Sequence, residues 1–446
     1  MRTCITDIMM TPGVTFESHI PFLEDAEIHI EGNRIVYAGK RENAPVFLSD
    51  SCIDGNGALA LPGLINMHTH TPMTLLRNIG SDLRLEEWLH QEIFPLEACL
   101  TDDFIRIGTD LGILEMLRFG TTSFCDMYMH MNAVAEGVRD SGIRALLGHS
   151  IVDLDGSCDD LEPGILLAEK WHRAGGDRIR VSLSPHSEGA TTPKLLTKVE
   201  HCASEFNLPI HIHVSETKHD FDGCMRRRNQ TPPQYLESLG LLQYPVIAAH
   251  CVWFTEEDIE LFAKRGCTIV HNPVSNLKLA SGIAPIHSMM TQGCKVAIGT
   301  DGAASNNNLN LWEELKLMPL LQKGCTLDPT MVSPAQCLAA ATTIGAKAMG
   351  YDDLGLLKEG FLADLILLDV DQPNMVPMND FESSLIFASQ GGDVRLTMVD
   401  GKVLYQNGQY TTLDERSILS GAKAAALELK QKAEMKTRSK ATNSNI

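Results

Sequence analysis

The run "ALPGLINMHTH" (residues 60–70) starts as a short apolar segment of strand character and ends in two histidines, His68 and His70, one residue apart. Side chains alternate along a strand, so both histidines fall on one face. Alone, such a pair reads equally well as half a metal site or as two core histidines. The fold is decided by repetition. Seven further β-like runs follow: "TTSFCDMY" (121–128), "RALLGHSIV" (144–152), "RIRVSLSPHS" (178–187), "LPIHIHVSET" (208–217), "PVIAAHCV" (245–252), "CTIVHNPVSN" (267–276) and "CKVAIGTDGA" (294–303). Amphipathic helical stretches separate most of them, among them residues 101–120 and 192–207. Eight β-runs separated by helices predict a (β/α)8 barrel, an α/β architecture whose chemistry sits at the C-terminal ends of its strands.

Those ends carry the unusual residues. Strand one ends in His68 and His70 and strand three in His149. Strand four ends in His186, strand five in His213 and Glu216, strand six in His250, strand seven in His271 and Asn272, and strand eight in Asp301. A catalytic metal site needs several converging ligands and one open position. His68, His70, His213 and Asp301 fill that requirement from neighbouring strand ends. Imidazole with carboxylate suits zinc, and iron or manganese could use the same ligands. Glu216 reads either as a surface carboxylate at a loop start or as a general acid/base beside metal-bound water, and His250 either as a core histidine or, by its shared barrel end, as a functional one. His211, on the same strand face as His213, reads as an interior residue one layer below the metal. The Arg226–Arg228 run reads as a solvated stretch of loop or short helix.

Both flanks differ from the middle. Residues 1–60 and 355–415 contain hairpin-like pieces such as "AEIHIEGNRIVYAG" (26–39) and "VRLTMVDGKVLYQNGQY" (394–410), without long helices between them. They are expected to meet in one small composite β-sandwich beside a barrel of residues 61–354. Residues 416–446 are expected to form a terminal helix, its pattern ending at 436, and a frayed polar tail.

Bulk properties bound the function. The chain has 446 residues and a formal net charge of −20, with 44% hydrophobic and 21% charged residues. The acidic balance disfavours nucleic acid and anionic membrane as partners, though not a single nucleoside. No apolar run approaches the roughly 20 residues that span a bilayer. The start of the chain lacks a secretory pattern, so cytoplasm is the expectation. The 12 cysteines are scattered with no CxxC pair, and read as reduced thiols. A homo-oligomer is left open.

The motifs "HTHTPMTLLRNIGSDLRLEEWLHQEIFPLE" (68–97), "HVSET" (213–217), "AAHCVW" (248–253), "HNPVSNLKLASGIAPI" (271–286) and "GTDGAASNNNLNLWEE" (299–314) resemble the amidohydrolase superfamily. Within it they resemble the 5′-methylthioadenosine/S-adenosylhomocysteine deaminases, from about residue 20 to about residue 412. The resemblance implies a metal-dependent hydrolase barrel with one zinc on His68, His70, His213 and Asp301. It implies Glu216 as the proton shuttle at the adenine, Glu97 as acceptor for the ribose hydroxyls, and His186 as a contact to the adenine ring. Two-metal relatives use a lysine at the end of strand four; this chain has Pro185–His186 there, so a single metal is expected. Homocysteine-handling relatives carry arginines just after strand three. Here His149 stands where the first would align, and the following loop holds Asp153, Asp155, Asp159 and Asp160. An acidic loop is a poor site for a carboxylate, which favours methylthioadenosine, 5′-deoxyadenosine or adenosine over S-adenosylhomocysteine. The alternatives are a related hydrolase acting on guanine, a pterin or an s-triazine, and a metal-free scaffold. Glu97 argues against the first, since a flat base gives it nothing to hold; the intact ligand set argues against the second.

Overall fold

A computed structural model describes residues 1–15, 18–80, 82–154, 156 and 160–443. The chain opens with four strands, β1 (Arg2–Met10), β2 (Leu23–Glu31), β3 (Arg34–Lys40) and β4 (Ser51–Pro62). Eight parallel strands follow: β5 (Leu64–Thr69), β6 (Thr121–Tyr128), β7 (Arg144–Ile151), β8 (Ile179–Pro185), β9 (Ile210–Val214), β10 (Val246–His250), β11 (Thr268–His271) and β12 (Lys295–Ile298). Four more complete the β-structure: β13 (Leu365–Leu368), β14 (Val394–Val399), β15 (Lys402–Gln406) and β16 (Gln409–Tyr410).

Strands β5 to β12 lie side by side in sequence order, as connections through helices dictate for parallel neighbours. The first and last strands close on each other beyond the ladder. Asp301 N–H donates to the His68 carbonyl at 2.9 Å, and Thr300 N–H donates to Asn66 Oδ1 at 3.0 Å. This seam requires Gly299, because a Cβ there would lie 2.7 Å from the His68 nitrogen and 2.9 Å from its oxygen. Inside the barrel, Ile65, Met67, Cys125, Leu146, Ile247, Val270 and Ala297 form an apolar plug below the strand ends. It is continuous with Met349, Tyr351 and Leu354 beneath.

The helix Asp102–Arg118 shows how the outer layer positions the site. It buries Ile105, Gly108, Gly112, Ile113, Met116 and Leu117 along one stripe, with acids in its first turn and Arg118 in its last, as the helix dipole favours. At Gly108 a Cβ would lie 2.4 Å from the Pro72 carbonyl. The bare backbone there lets the helix seat the 3₁₀ turn Thr71–Leu76 that follows His70.

The two chain ends meet in a second sheet of eight strands, in the order β16-β15-β14-β13-β4-β1-β2-β3. All its pairings are antiparallel except β1 with β4. Ile5, Ile28, Ile30, Leu365 and Met398 form its apolar core. The C-terminal helix runs Glu415–Asn443, seven residues beyond the 436 read from sequence. Helix therefore takes up most of the tail expected to fray, because that tail holds no glycine or proline to stop it; residues 444–446 lie outside the described residues. Among the described residues, no helix is long and apolar enough to cross a membrane. The described cysteines are free thiols, most of them buried.

Candidate active site

Strand ends gather the titratable residues at one mouth. His68 lies within β5 and His70 just beyond it, His213 in β9, and His250 ends β10. Glu216 and Asp301 follow β9 and β12 on loops whose backbone is left-handed at non-glycine positions: Ser215 (φ +50°) and Asp301 (φ +63°). His250 itself has φ +72° and Cys251 +51°. Each such residue costs about 1–3 kcal/mol and persists only where surrounding structure over-determines it.

The hydrogen bonds fix the imidazole tautomers. His70 Nδ1 donates to the Met127 carbonyl at 2.6 Å, and His213 Nδ1 donates to the His186 carbonyl at 2.7 Å. A carbonyl only accepts, so in each neutral ring the proton is on Nδ1 and Nε2 presents a lone pair. Those two Nε2 atoms face each other at 3.4 Å. His68 Nε2 is buried with no hydrogen-bond partner among the described residues. Asp301 Oδ1 lies 3.3 Å from His70 Nε2 and 3.6 Å from His68 Nε2. Converging lone pairs around one carboxylate repel unless a cation lies among them, and the donor set of three imidazoles and one carboxylate fits a divalent transition metal.

Neighbouring groups hold this set in its acceptor form. Burial, then the adjacent imidazoles, hold His68 and His213 well below the usual histidine pKa, hence neutral. Burial works to raise Asp301, but His70, His250, the Ser275 hydroxyl and the Gly302 N–H outweigh it and hold its carboxyl below the usual range. Ser275 Oγ donates to its Oδ2 at 2.6 Å. His211 is an active neighbour rather than mere filling: its Nε2 lies 2.9 Å from His68 Nδ1 and its Nδ1 lies 3.3 Å from Cys125 Sγ. With Nε2 of His68 kept as acceptor, its Nδ1–H donates to His211.

Around this set lies a cavity of about 360 Å³ lined by His70, His186, His213, Glu216, His250 and Asp301. His250 Nδ1–H donates to Asn276 Oδ1 at 2.9 Å, turning Nε2 toward Glu216 Oε2 at 3.7 Å. Burial disfavours a charged His250, yet Glu216 and Asp301 raise its pKa. Burial also raises the Glu216 carboxyl, whose Oε1 accepts from Ser281 Oγ at 3.2 Å. Glu97 also lines the cavity, its carboxyl raised by burial against a 2.6 Å hydrogen bond from the Tyr128 hydroxyl. His186 is driven down to about 4 by burial, and its Nδ1 is buried without a hydrogen-bond partner among the described residues. The remaining wall is largely apolar, including Met73, Leu85, Trp88, Phe94, Met129 and Val152.

Two sequence expectations change. His149 is not brought into the cavity. Ser150 lines it, and strand alternation turns His149 to the outer face, where Nε2 meets Asp160 Oδ1 at 3.2 Å. The Arg226–Arg228 run ends the helix Lys218–Arg228 and is only partly a solvated face: Arg227 lines the cavity and pairs with Glu188 at 2.5 Å, with Arg228 on the same carboxylate at 3.3 Å. In the acidic loop, Asp153 accepts from Thr192 and from the Gly156 N–H, and Asp160 pairs with His149, while Asp155 and Asp159 lie outside the described residues. Tyr128, Ser275 and Asn276 were not singled out from sequence, although Tyr128 ends a barrel strand and Asn276 lies in "HNPVSN", where polar strand-end residues are the signal to follow.

Comparison with known proteins identifies the family. Residues 59–404 match the model of the amidohydrolase family. This chain belongs to the amidohydrolase family. It is 44% identical over 401 residues to a 5-methylthioadenosine/S-adenosylhomocysteine deaminase from Moorella thermoacetica, covering 89% of this chain and 94% of that one. It is 40% identical over 410 residues to a 5′-deoxyadenosine deaminase from Methanosarcina mazei, covering 91% and 94%. Among solved structures it is similar to an adenosine deaminase from Xanthomonas campestris with bound zinc, with a TM-score of 0.90 and 32% identity over 96% of this chain and 99% of that one. This amidohydrolase is a hydrolytic deaminase.

Proposed function

We propose that this amidohydrolase replaces the 6-amino group of an adenosine derivative with oxygen, yielding the inosine analogue and ammonia, with one zinc ion held by His68, His70, His213 and Asp301. One observation carries the reading: a single cavity is lined both by the cluster of facing imidazole lone pairs and by the Glu97 carboxylate, suited to ribose hydroxyls. The ion supplies Lewis acidity that makes water a usable nucleophile near neutral pH.

The chain's own residues supply the rest. Asp301 and His250 orient the attacking water and take its proton. Glu216, its carboxyl raised by burial, delivers a proton to N1 as oxygen bonds to C6. The C6 hydroxyl proton then passes to the amino group, the C6–N bond breaks, and ammonia leaves a 6-oxo ring with its proton on N1. His186, held neutral, faces the ring without competing for charge. Glu97 and Tyr128 orient the ribose.

The preferred substrates are 5′-methylthioadenosine, 5′-deoxyadenosine and adenosine. The apolar wall offers a methylthio or methyl group a dry surface. Glu188 offsets only one charge of the Arg227–Arg228 pair, and it is the acidic residues that follow β7, among them Asp153 and Asp160, that disfavour a homocysteine carboxylate. Ammonia release from each nucleoside, S-adenosylhomocysteine and guanine tests this. The expected order of kcat/KM puts the three small nucleosides above S-adenosylhomocysteine, with guanine inert. Preference for S-adenosylhomocysteine overturns the 5′ reading, and turnover of guanine without the nucleosides overturns the whole.

A further inference from the structure

Outside the barrel, the sheet built from the chain ends gathers a second group of metal-ligating side chains. Cys4 on β1 is the cross-strand partner of His29 on β2 and, on its other side, of Cys52 on β4. Partners directly opposite in a sheet share a face, and Glu27, two residues before His29, shares it too. The opposite face carries the Ile5, Ile28 and Ile30 core, so these four side chains form a layer of their own. Cys4 Sγ lies 3.1 Å from Glu27 Oε1, and His29 Nε2 lies 2.6 Å from the same oxygen. Cys4 and His29 are 6% and 1% exposed, unusual burial for a polar trio beside a sheet edge. Phe47 covers them, stacked on the His29 ring at 4.3 Å and 8°, with the Arg2 guanidinium 4.4 Å above Phe47. Cys52 is exposed, its Sγ 3.7 Å from Thr6 Oγ1 on the same side.

We propose that Cys4, Glu27, His29 and Cys52 form a structural site for a borderline-soft divalent cation of the zinc class, distinct from the barrel centre. One ligand atom each from Cys4, Glu27 and His29 lie within 4.8 Å of one another. Neighbouring ligands on a tetrahedral zinc, with bonds of about 2.0–2.3 Å, stand about 3.3–3.6 Å apart. The cluster therefore needs to open by less than about 1 Å, a side-chain adjustment. Two thiolates, an imidazole and a carboxylate are a donor set that selects zinc over magnesium or calcium. Turning from Thr6 brings Cys52 in as the fourth ligand. The ion would clamp β1 between β2 and β4, tying down the N-terminal strand; Arg41, whose Nε is 3.9 Å from Glu27 Oε2, would offset the excess negative charge. The proposal is independent of the deaminase reading.

Cobalt(II) distinguishes the two sites, because the barrel donors include no thiolate, and only a thiolate gives a sulfur-to-cobalt charge-transfer band in the near ultraviolet. The metal-stripped full chain is titrated with cobalt(II), then zinc(II). The expected result is two equivalents per chain, one accompanied by the band, with zinc abolishing it on displacement. The band persists in His70→Asn, disappears in Cys4→Ser and in His29→Gln, and weakens in Cys52→Ser. Cys4→Ser keeps its remaining equivalent and its deaminase rate, with a lower Tm. One equivalent per chain, or two without the band in the wild-type protein, overturns the proposal whether or not the variants fold. An undiminished band in Cys52→Ser removes Cys52 from the ligand set.

Discussion

Glu216 and Glu97 are both carboxyls raised by burial, yet they face different parts of the cavity and fail in different ways. Glu216→Gln keeps the shape and removes the proton carrier. The expected outcome is a fall in kcat of about 10²–10⁴-fold with metal content unchanged, read by steady-state kinetics and metal analysis on the same sample. Glu97→Gln removes a charged acceptor from the ribose side, so KM rises more than kcat falls. Its pH dependence follows from the shift. The wild-type carboxylate is lost as pH falls through a pKa above the ordinary glutamate value, so KM climbs on the acid side earlier than an exposed glutamate would allow; Glu97→Gln lacks that limb. Sequence made the cluster of His68, His70, His213 and Asp301 legible because each stands at the end of a recognisable strand. It did not show that Tyr128 reaches Glu97, since this depends on how residues 85–97 fold back over the mouth, nor that His211 braces His68 across 143 residues of chain.

At the scale of elements, strand parity and helix rotation decide what a linear motif leaves open. His149 stands at the end of β7, but Ser150 takes the inward position, so a location read by strand end alone puts the wrong neighbour in the cavity. Three consecutive arginines looked like one wet surface. On a helix each is rotated by about 100° from the last, which turns Arg227 to the cavity wall. The closure between β12 and β5 is the most exacting contact between elements. Gly299→Ala pushes a methyl into the His68 backbone, 2.7 Å away, and is expected to cost about 1–3 kcal/mol. It should also weaken metal binding, measured by thermal unfolding and by competition with a chelator. Unchanged Tm and metal affinity would show that the seam has slack.

Across the whole molecule, the two sheets are joined by a buried ion pair that no local pattern announces. Arg144 on β7 grips Asp364, just before β13, in a two-pronged contact at 2.9 and 3.0 Å, 220 residues apart in sequence. Both side chains are 1% exposed. Removing one partner of such a pair strands the other, so Arg144→Ala is expected to lower stability by about 3–5 kcal/mol, read by denaturant unfolding, while folded protein retains its KM. The alternation of β-runs and helices was enough to predict the barrel and the union of the chain ends, because hydrophobic period and connection length are local properties. The pairing order of the end strands, and the contacts that fix that sheet to the barrel, depend on residues hundreds of positions apart.

On the proposed function, the His68, His70, His213 and Asp301 cluster holds the metal on which deamination depends. The direct measurement is ammonia release from 5′-methylthioadenosine by the purified chain before stripping, after stripping with a chelator, and as zinc is restored. Turnover is expected to be lost on stripping and to return with zinc, with no return in His70→Asn at the same zinc concentration. Full turnover by the stripped protein, or full recovery in His70→Asn, would contradict it.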